Sequence, residues 1–281
     1  MEEKYQILIP TDYSETADHA LAIGADLAKR SGAQVHVLHI ADIPPDWVSM
    51  VEKSEGTMYA MVKDQLGITR KELADRTTLL HDKGVHAESF MVYNKGYRAI
   101  LGHSENYESD LIIMGAHGRS GIKGLLIGSF TLRVLHHTNV PVFVTKKTDM
   151  PTDLNKAVFV SDFDSEHKGE LAEAIKHIQK FNMRLRLFFV NTPATFRESH
   201  EIQNRMNEYV KSIPEGLVEQ VDIVNAYKFE TGLLRYCDDN AIDMVSMPIY
   251  GKRHSWEAIG STIEDVIKFT EIPVLGIPEG K

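Results

Sequence analysis

Runs of apolar residues alternate with amphipathic stretches along the whole chain, which is the pattern of a parallel sheet covered by helices. In the first half this pattern predicts strands at 6–10, 34–40, 85–93, 111–115 and 140–145. Val, Ile and Leu dominate several of them, as expected for strands buried on both faces. Ser14 is suited to cap a first helix, whose Ala17, Leu21, Ala25 and Ala28 fall on one small apolar face. Val62, Leu66, Leu73 and Leu80 form the stripe of a longer helix, with Gly84 placed to stop it. Shorter helices are predicted at 97–107 and 129–137.

The polar stretch 146–155, with Pro151 inside it, reads as a linker. After it the same order returns. Strands are predicted at 157–161, 185–191, 218–225, 244–247 and 274–277. A helix at 166–181 puts Leu171, Ile175 and Ile178 on one face, and another carries Cys237 between Leu234 and Ile242. Ile127-Gly128-Ser129 precedes Val140-Pro141-Val142, and Ile259-Gly260-Ser261 precedes Ile272-Pro273-Val274 at the same separation. This repetition argues for duplication, with units at 1–146 and 155–281.

Composition narrows the functional classes. The 281 residues suit roughly two domains, and 43% hydrophobic residues allow each a core. A formal net charge of −9 lacks the broad positive field that draws nucleic acid, so none is expected as a partner. The single cysteine, Cys237, excludes an internal disulfide and a multi-cysteine zinc site, and fits a reducing cytoplasm. Met1-Glu2-Glu3-Lys4 opens no apolar signal segment, and no apolar run reaches the ~18–20 residues of a membrane span.

The most informative stretch runs from Met114 to Ser129, leaving a buried strand and entering a helix. Ligands of open α/β sheets bind at the carboxyl ends of strands. Gly115, Gly118, Gly121, Gly124 and Gly128 let backbone amides approach an anion, and a helix start offers unpaired N–H groups. A glycine-rich surface loop made only of turns is the bland alternative that composition leaves open. Neither G-x-x-x-x-G-K-[ST] nor G-x-G-x-x-G is present. His117 is read as a solvated loop histidine rather than a base, since no partner is placed for it. His136 and His137 lie outside any metal-ligand constellation, and Cys237 reads as a small buried apolar residue. Trp47 and Trp256 are expected to pack or seal loops.

Gly115-x2-Gly118-x9-Gly128-Ser129 resembles the G-2x-G-9x-G-[S/T] signature of ATP-binding universal stress proteins. Ile7-Leu8-Ile9-Pro10-Thr11-Asp12-Tyr13-Ser14 is similar to the family's first strand and acidic turn, and Val37-Leu38-His39-Ile40 to its second strand. The resemblance implies two tandem Rossmann-like domains of the adenine-nucleotide alpha-hydrolase-like kind, each a five-stranded parallel sheet flanked by helices. It implies that Asp12 bonds the nucleoside, that Pro10 and Ile40 line the adenine pocket, and that Gly115 and Gly118 admit ribose and phosphates. Gly128, Ser129 and the amide of Phe130 would bind phosphate, with Arg119 reaching an outer one. Bland readings stay open beside these: Asp12 as a turn residue and Ser129 as an N-cap.

The second half departs from the signature. Met247 and Tyr250 stand where Gly115 and Gly118 do, and only Gly260-Ser261 survives cleanly. Asp162 matches Asp12 if a one-residue gap is allowed; without it Phe163 does. One nucleotide per chain is therefore expected, ATP first, with ADP or AMP left open and Mg²⁺ accompanying ATP. The expected role is regulatory, in a stress response, with nucleotide-dependent partner binding and at most weak hydrolysis. A slow ATPase and a purely structural dimerisation protein are the alternatives. The resemblance further implies that the last strands of two such units, here 140–145 and 274–277, pair; a tandem chain can make that pair internally, and a homodimer of two chains through other surfaces is left open.

Overall fold

The computed structural model describes residues 4–51, 57–118, 127–164, 168–249 and 262–279. In the first half, strands β1 (Gln6–Thr11), β2 (Gln34–Ala41), β3 (His86–Tyr93), β4 (Leu111–Gly115) and β5 (Val142–Thr145) alternate with helices. These are α1 (Glu15–Ser31), α2 (Pro45–Val51), α3 (Thr57–Asp82), α4 (Arg98–Asn106) and α5 (Ser129–His137). In the second half β6 (Lys156–Val160), β7 (Arg184–Asn191), β8 (Val218–Asn225), β9 (Met244–Ile249) and β10 (Val274–Pro278) alternate with α6 (Lys168–Lys180), α7 (Ser199–Lys211), α8 (Phe229–Asn240) and α9 (Ile263–Phe269).

The strands form one ten-stranded sheet in the order β3-β2-β1-β4-β5-β10-β9-β6-β7-β8. Every pairing is parallel except β5 with β10, where Val274 faces Val144 and Gly276 faces Val142. In the first half the chain runs outward from β1 to β3, then returns to place β4 on the other side of β1. This reversal leaves a crevice above the carboxyl ends of β1 and β4, where open α/β sheets hold ligands. The second half repeats the reversal between β6 and β9.

Alternation along each strand supplies two cores. Ile7 and Ile9 face α1 and α3, while Leu8 faces the side covered by α4 and α5. Leu171, Ile178, Ile202 and Met206 extend the first core, and Phe229, Leu233 and Val266 extend the second. Fully burying such a Leu or Ile contributes ~1.5–3 kcal/mol. The architecture is Rossmann-like, with helices on both faces.

Most local expectations hold. Ser14 caps α1 by accepting from the Ala17 N–H at 3.2 Å. Ala17, Leu21, Ala25 and Ala28 are buried, as are Leu66, Leu73 and Leu80. Gly84 takes a left-handed φ of 77° as the chain leaves α3. Cys237 is buried on α8, and burial pushes its thiol up to about 12. Three expectations need correction. β5 begins at Val142 rather than residue 140, because Thr138 makes a local turn with Val140, donating to its carbonyl and accepting from its N–H. Gly128, not Ser129, is the N-cap of α5. Trp47 is 39% exposed on α2 rather than packed away; Trp256 lies outside the described residues.

Several contacts join the halves besides the strand pair. Arg30, at the end of α1, donates to the carbonyls of Leu154 and Phe181. Lys146 donates to the Ile267 and Lys268 carbonyls at the end of α9, and burial lowers its pKa. His136 Nε2 lies 2.6 Å from Glu264 Oε1. The Tyr5 hydroxyl and His177 Nδ1 share a buried hydrogen bond.

Candidate functional site

The acidic turn after β1 is built from its own side chains. The Tyr13 N–H donates to Thr11 Oγ1 at 3.1 Å, and the Ser14 N–H donates to Asp12 Oδ1 at 3.1 Å. Ser14 Oγ adds a 2.6 Å bond to the same oxygen. These bonds hold Tyr13 at φ 63°, a left-handed conformation uncommon for a bulky residue. The local bonding fixes the Asp12 carboxylate at the crevice.

The glycines across from it are explained by close approach. A Cβ on Gly118 would lie 2.4 Å from Asp12 Oδ2. One on Gly115 would lie 3.0 Å from the Cβ and Oγ1 of Thr16, whose hydroxyl donates to the His117 carbonyl at 2.6 Å. One on Gly128 would lie 3.3 Å from the Ala116 carbonyl oxygen, to which the Gly128 N–H donates at 2.8 Å. None of the three has a left-handed φ. Their need is for space, not for unusual torsion.

α5 opens onto the crevice. No side chain caps its N-terminus and no acidic residue stands in its first turn. Its first N–H groups therefore face the cleft with the positive end of the helix dipole behind them. Thr131 Oγ1 donates to the Gly115 carbonyl at 3.0 Å, which fixes the helix start against β4.

Together these elements enclose a cavity of about 450 Å³, a size typical of small-molecule sites. Pro10, Asp12, Ile40, Gly115, Gly118, Gly128, Ser129 and Phe130 all line it, so the residues singled out in the sequence converge there. Arg119 lies outside the described residues. The sequence reading did not nominate Thr11, Leu38, Asp42, Asn94, Gly96 or Met114, which also line it. Asp42, Asn94 and Gly96 follow β2 and β3, and only the strand register brings them to the cleft. The apolar lining residues Pro10, Leu38, Ile40 and Met114 come from β1, β2 and β4. The backbone amides gather at α5. Among the described residues no group of three or more His, Cys, Asp or Glu could hold a metal.

The second half keeps the turn and changes the rest. The Phe163 N–H donates to Ser161 Oγ at 3.2 Å, the Asp164 N–H donates to Asp162 Oδ1 at 3.1 Å, and Phe163 has φ 53°. Asp162 is thus the counterpart of Asp12, and Phe163 that of Tyr13. Where Pro10 and Ile40 are half-buried beside a cavity, Val160 and Val190 are buried in the core with Phe229. α8 packs so closely that a Cβ on Gly232 would lie 2.7 Å from Val190. At α9, Thr262 Oγ1 accepts from the Asp265 N–H at 3.2 Å, while the Asp265 carboxylate accepts from Thr262. This capping box puts a carboxylate over the helix start that α5 leaves open.

The sequence profile of the universal stress protein family matches residues 5–146. The chain belongs to the universal stress protein family. Universal stress protein MJ0577 of Methanocaldococcus jannaschii is 30% identical over 153 residues, covering 50% of this chain and 94% of that protein. Universal stress protein MJ0531 of the same organism is 28% identical over 142 residues, covering 50% and 82%. A solved universal stress protein from Archaeoglobus fulgidus superposes with a TM-score of 0.76 at 22% identity, covering 98% of each chain. It shares the fold across both halves. The relatives match half of this chain while filling most of their own length, which fits a tandem form of the family.

Proposed function

We propose that this universal stress protein binds one adenine nucleotide per chain, ATP foremost, in the cleft of its first half and acts as a regulatory binding module. The observation that carries this reading is the convergence of Asp12, the three closely approached glycines and the uncapped α5 start around one cavity. A carboxylate accepts from ribose hydroxyls, and a helix N-terminus receives phosphate. Mg²⁺ would enter with ATP, held by phosphate oxygens and Asp12, since that ion commonly takes one or two carboxylates plus phosphate and water. In the second half the capping box at α9 and the buried Val160 and Val190 oppose a second nucleotide. The two halves would act as two domains, 1–146 and 155–281, with the nucleotide state of the first altering what a protein partner or a second chain meets.

Calorimetric titration of the full chain with ATP tests this. One site per chain is expected, weakened at least tenfold by Asp12→Ala and unchanged by Asp162→Ala. Two equivalent sites, or affinity lost only with Asp162→Ala, would sink the asymmetry. The cleft cradles phosphate without orienting an attacking water, so turnover is expected below the ~1 s⁻¹ lower range of dedicated enzymes. Phosphate release in that range by contaminant-free protein, abolished by Asp12→Ala, would establish an ATPase instead.

A further inference from the structure

We propose that Tyr13 is a positioning residue for Asp12, and that Arg76 of α3, laid over its ring, is the latch that keeps it in place and so sets how firmly the cleft holds ribose; this rests on the nucleotide reading of the cleft. Tyr13 follows Asp12 directly, so a rotation of the Tyr13 backbone swings the Asp12 carboxylate. The Tyr13 φ of 63° lies in a region that a bulky residue leaves unless its surroundings over-determine it. Asp12 Oδ1 is engaged by Ser14, and Oδ2 is the oxygen that lies toward Gly118 across the cleft. The aim of Oδ2 therefore depends on what holds Tyr13.

Three elements hold it. The Tyr13 ring stacks on His39 of β2, with centroids 4.3 Å apart and planes 15° from parallel. His39 is itself fixed by a 2.8 Å hydrogen bond between its Nδ1 and the Thr11 carbonyl. From α3, the Tyr13 hydroxyl meets the Thr69 carbonyl, to which it donates at 3.0 Å, and the Arg76 guanidinium lies over the ring with Cζ 4.6 Å from the centroid. Arg76 is in turn gripped by α1, where Asp18 Oδ1 and Oδ2 accept from its Nε and Nη2 at 2.6 and 2.8 Å. Tyr13, His39, Thr69 and Arg76 do not line the cavity, so they can act on a nucleotide only through Asp12.

The second half holds its turn in another way. Phe163 stands where Tyr13 does, with a φ of 53° and no hydroxyl. There the helix supplies the donor: Tyr209 of α7 meets the Phe163 ring edge-on at 5.2 Å and donates to the Asp164 carbonyl. Arg205 of α7 reaches the Asp164 carboxylate at 3.3 Å. The left-handed turn can thus be kept with phenylalanine, while the tyrosine hydroxyl and the cation over its ring belong to the half with the open cleft.

The test compares ATP with its dideoxyribose analogue, which keeps the base and triphosphate and lacks both hydroxyls that Asp12 would accept from. Full-length protein is expected to prefer ATP by about tenfold or more, the gain from hydrogen bonds to a carboxylate. Tyr13→Phe copies the residue that the second half uses at this turn, and Arg76→Met removes the cation while keeping the stem. Each should weaken ATP by about threefold or more and leave the dideoxy analogue unchanged. A preference kept at its wild-type value in either folded variant, or both nucleotides weakened alike, overturns the positioning role and leaves the cleft reading standing. Wild-type protein that binds the two nucleotides equally does the same, since Asp12 would then hold no hydroxyl. Wild-type protein that binds neither overturns the cleft reading and this proposal with it.

Discussion

A Cβ on Gly118 would press on Asp12 Oδ2, and Gly118 itself is exposed with no left-handed torsion. The close approach that the sequence assigns to this glycine is therefore a matter of space, and the nearest group it must admit is the Asp12 carboxylate. A branched side chain there must push aside the carboxylate proposed to hold the ribose and also fill the phosphate approach. Gly118→Val is predicted to lower ATP affinity at least tenfold in a chain that still folds, since the displaced Asp12 carboxylate lies at the cleft rather than in either core; the cost is expected within the ~0.5–3 kcal/mol of ordinary destabilising substitutions. Titration and thermal melting of one preparation check both halves of the statement. Unchanged affinity in the folded variant would remove Gly118 from the site. Asp12, Gly115 and Gly128 could be nominated from spacing because they follow strand ends or open a helix. Asp42 and Asn94 could not, since they meet only through the register of β2 with β3.

Between elements, β2 and α4 are joined by a buried histidine pair. His36 Nδ1 and His103 Nε2 lie 3.0 Å apart, ringed by Phe90 and Tyr107. Burial first, and His36 second, push His103 down to about 4, and burial lowers His36 too. The unfolded chain takes up these protons near pH 6.5, ahead of the folded one. The pair's contribution is thus fully present above that pH and lost as pH falls toward about 4. Glu173, held at about 2 chiefly by its bond to His177, adds acid sensitivity only below its ordinary range. His103→Gln, which keeps an amide for His36, is predicted to flatten the stability profile between pH 6.5 and 4.5 by on the order of 2 kcal/mol. Burial also lowers the pKa of His19, so a residual slope is expected, and an unaltered slope would exonerate the pair. The elements themselves were largely legible. Strand and helix periods located all ten strands, α1, α3–α6 and the Cys237 helix α8, because those segments are long or carry a clear apolar face. α7 carries a readable signal in Ile202, Met206 and Tyr209, yet the reading passed over it because most of its surface is polar. The short α2 and α9 have too few turns to show a period. The capping box that closes α9 was visible as Thr262 and Asp265, but its meaning depends on comparison with the open start of α5.

For the whole molecule, the antiparallel pairing of β5 with β10 decides how many chains make a complete unit. Both strands are apolar and buried, and either alone would present an edge that invites association. A tandem chain satisfies both edges internally if its linker can cross between the halves, and Lys146, Lys147 and Arg30 contact the opposite half or the linker around that crossing. The same strands could instead pair between chains, with each half meeting its complement on another molecule. Val144 and Val274 are register partners, so cysteines at these positions would face each other across the seam. Both sites are buried and apolar, which a cysteine tolerates as a small apolar residue. After Cys237→Ala removes the native thiol, Val144→Cys with Val274→Cys is predicted to oxidise within one chain. The product should migrate as a compact monomer on non-reducing denaturing gels, at a yield independent of protein concentration. Covalent dimers whose yield rises with concentration would mean that the halves pair in trans. In that case the cleft proposed to take the nucleotide in one chain would sit beside the second half of another, and the proposed partner signal would depend on assembly rather than on the single chain.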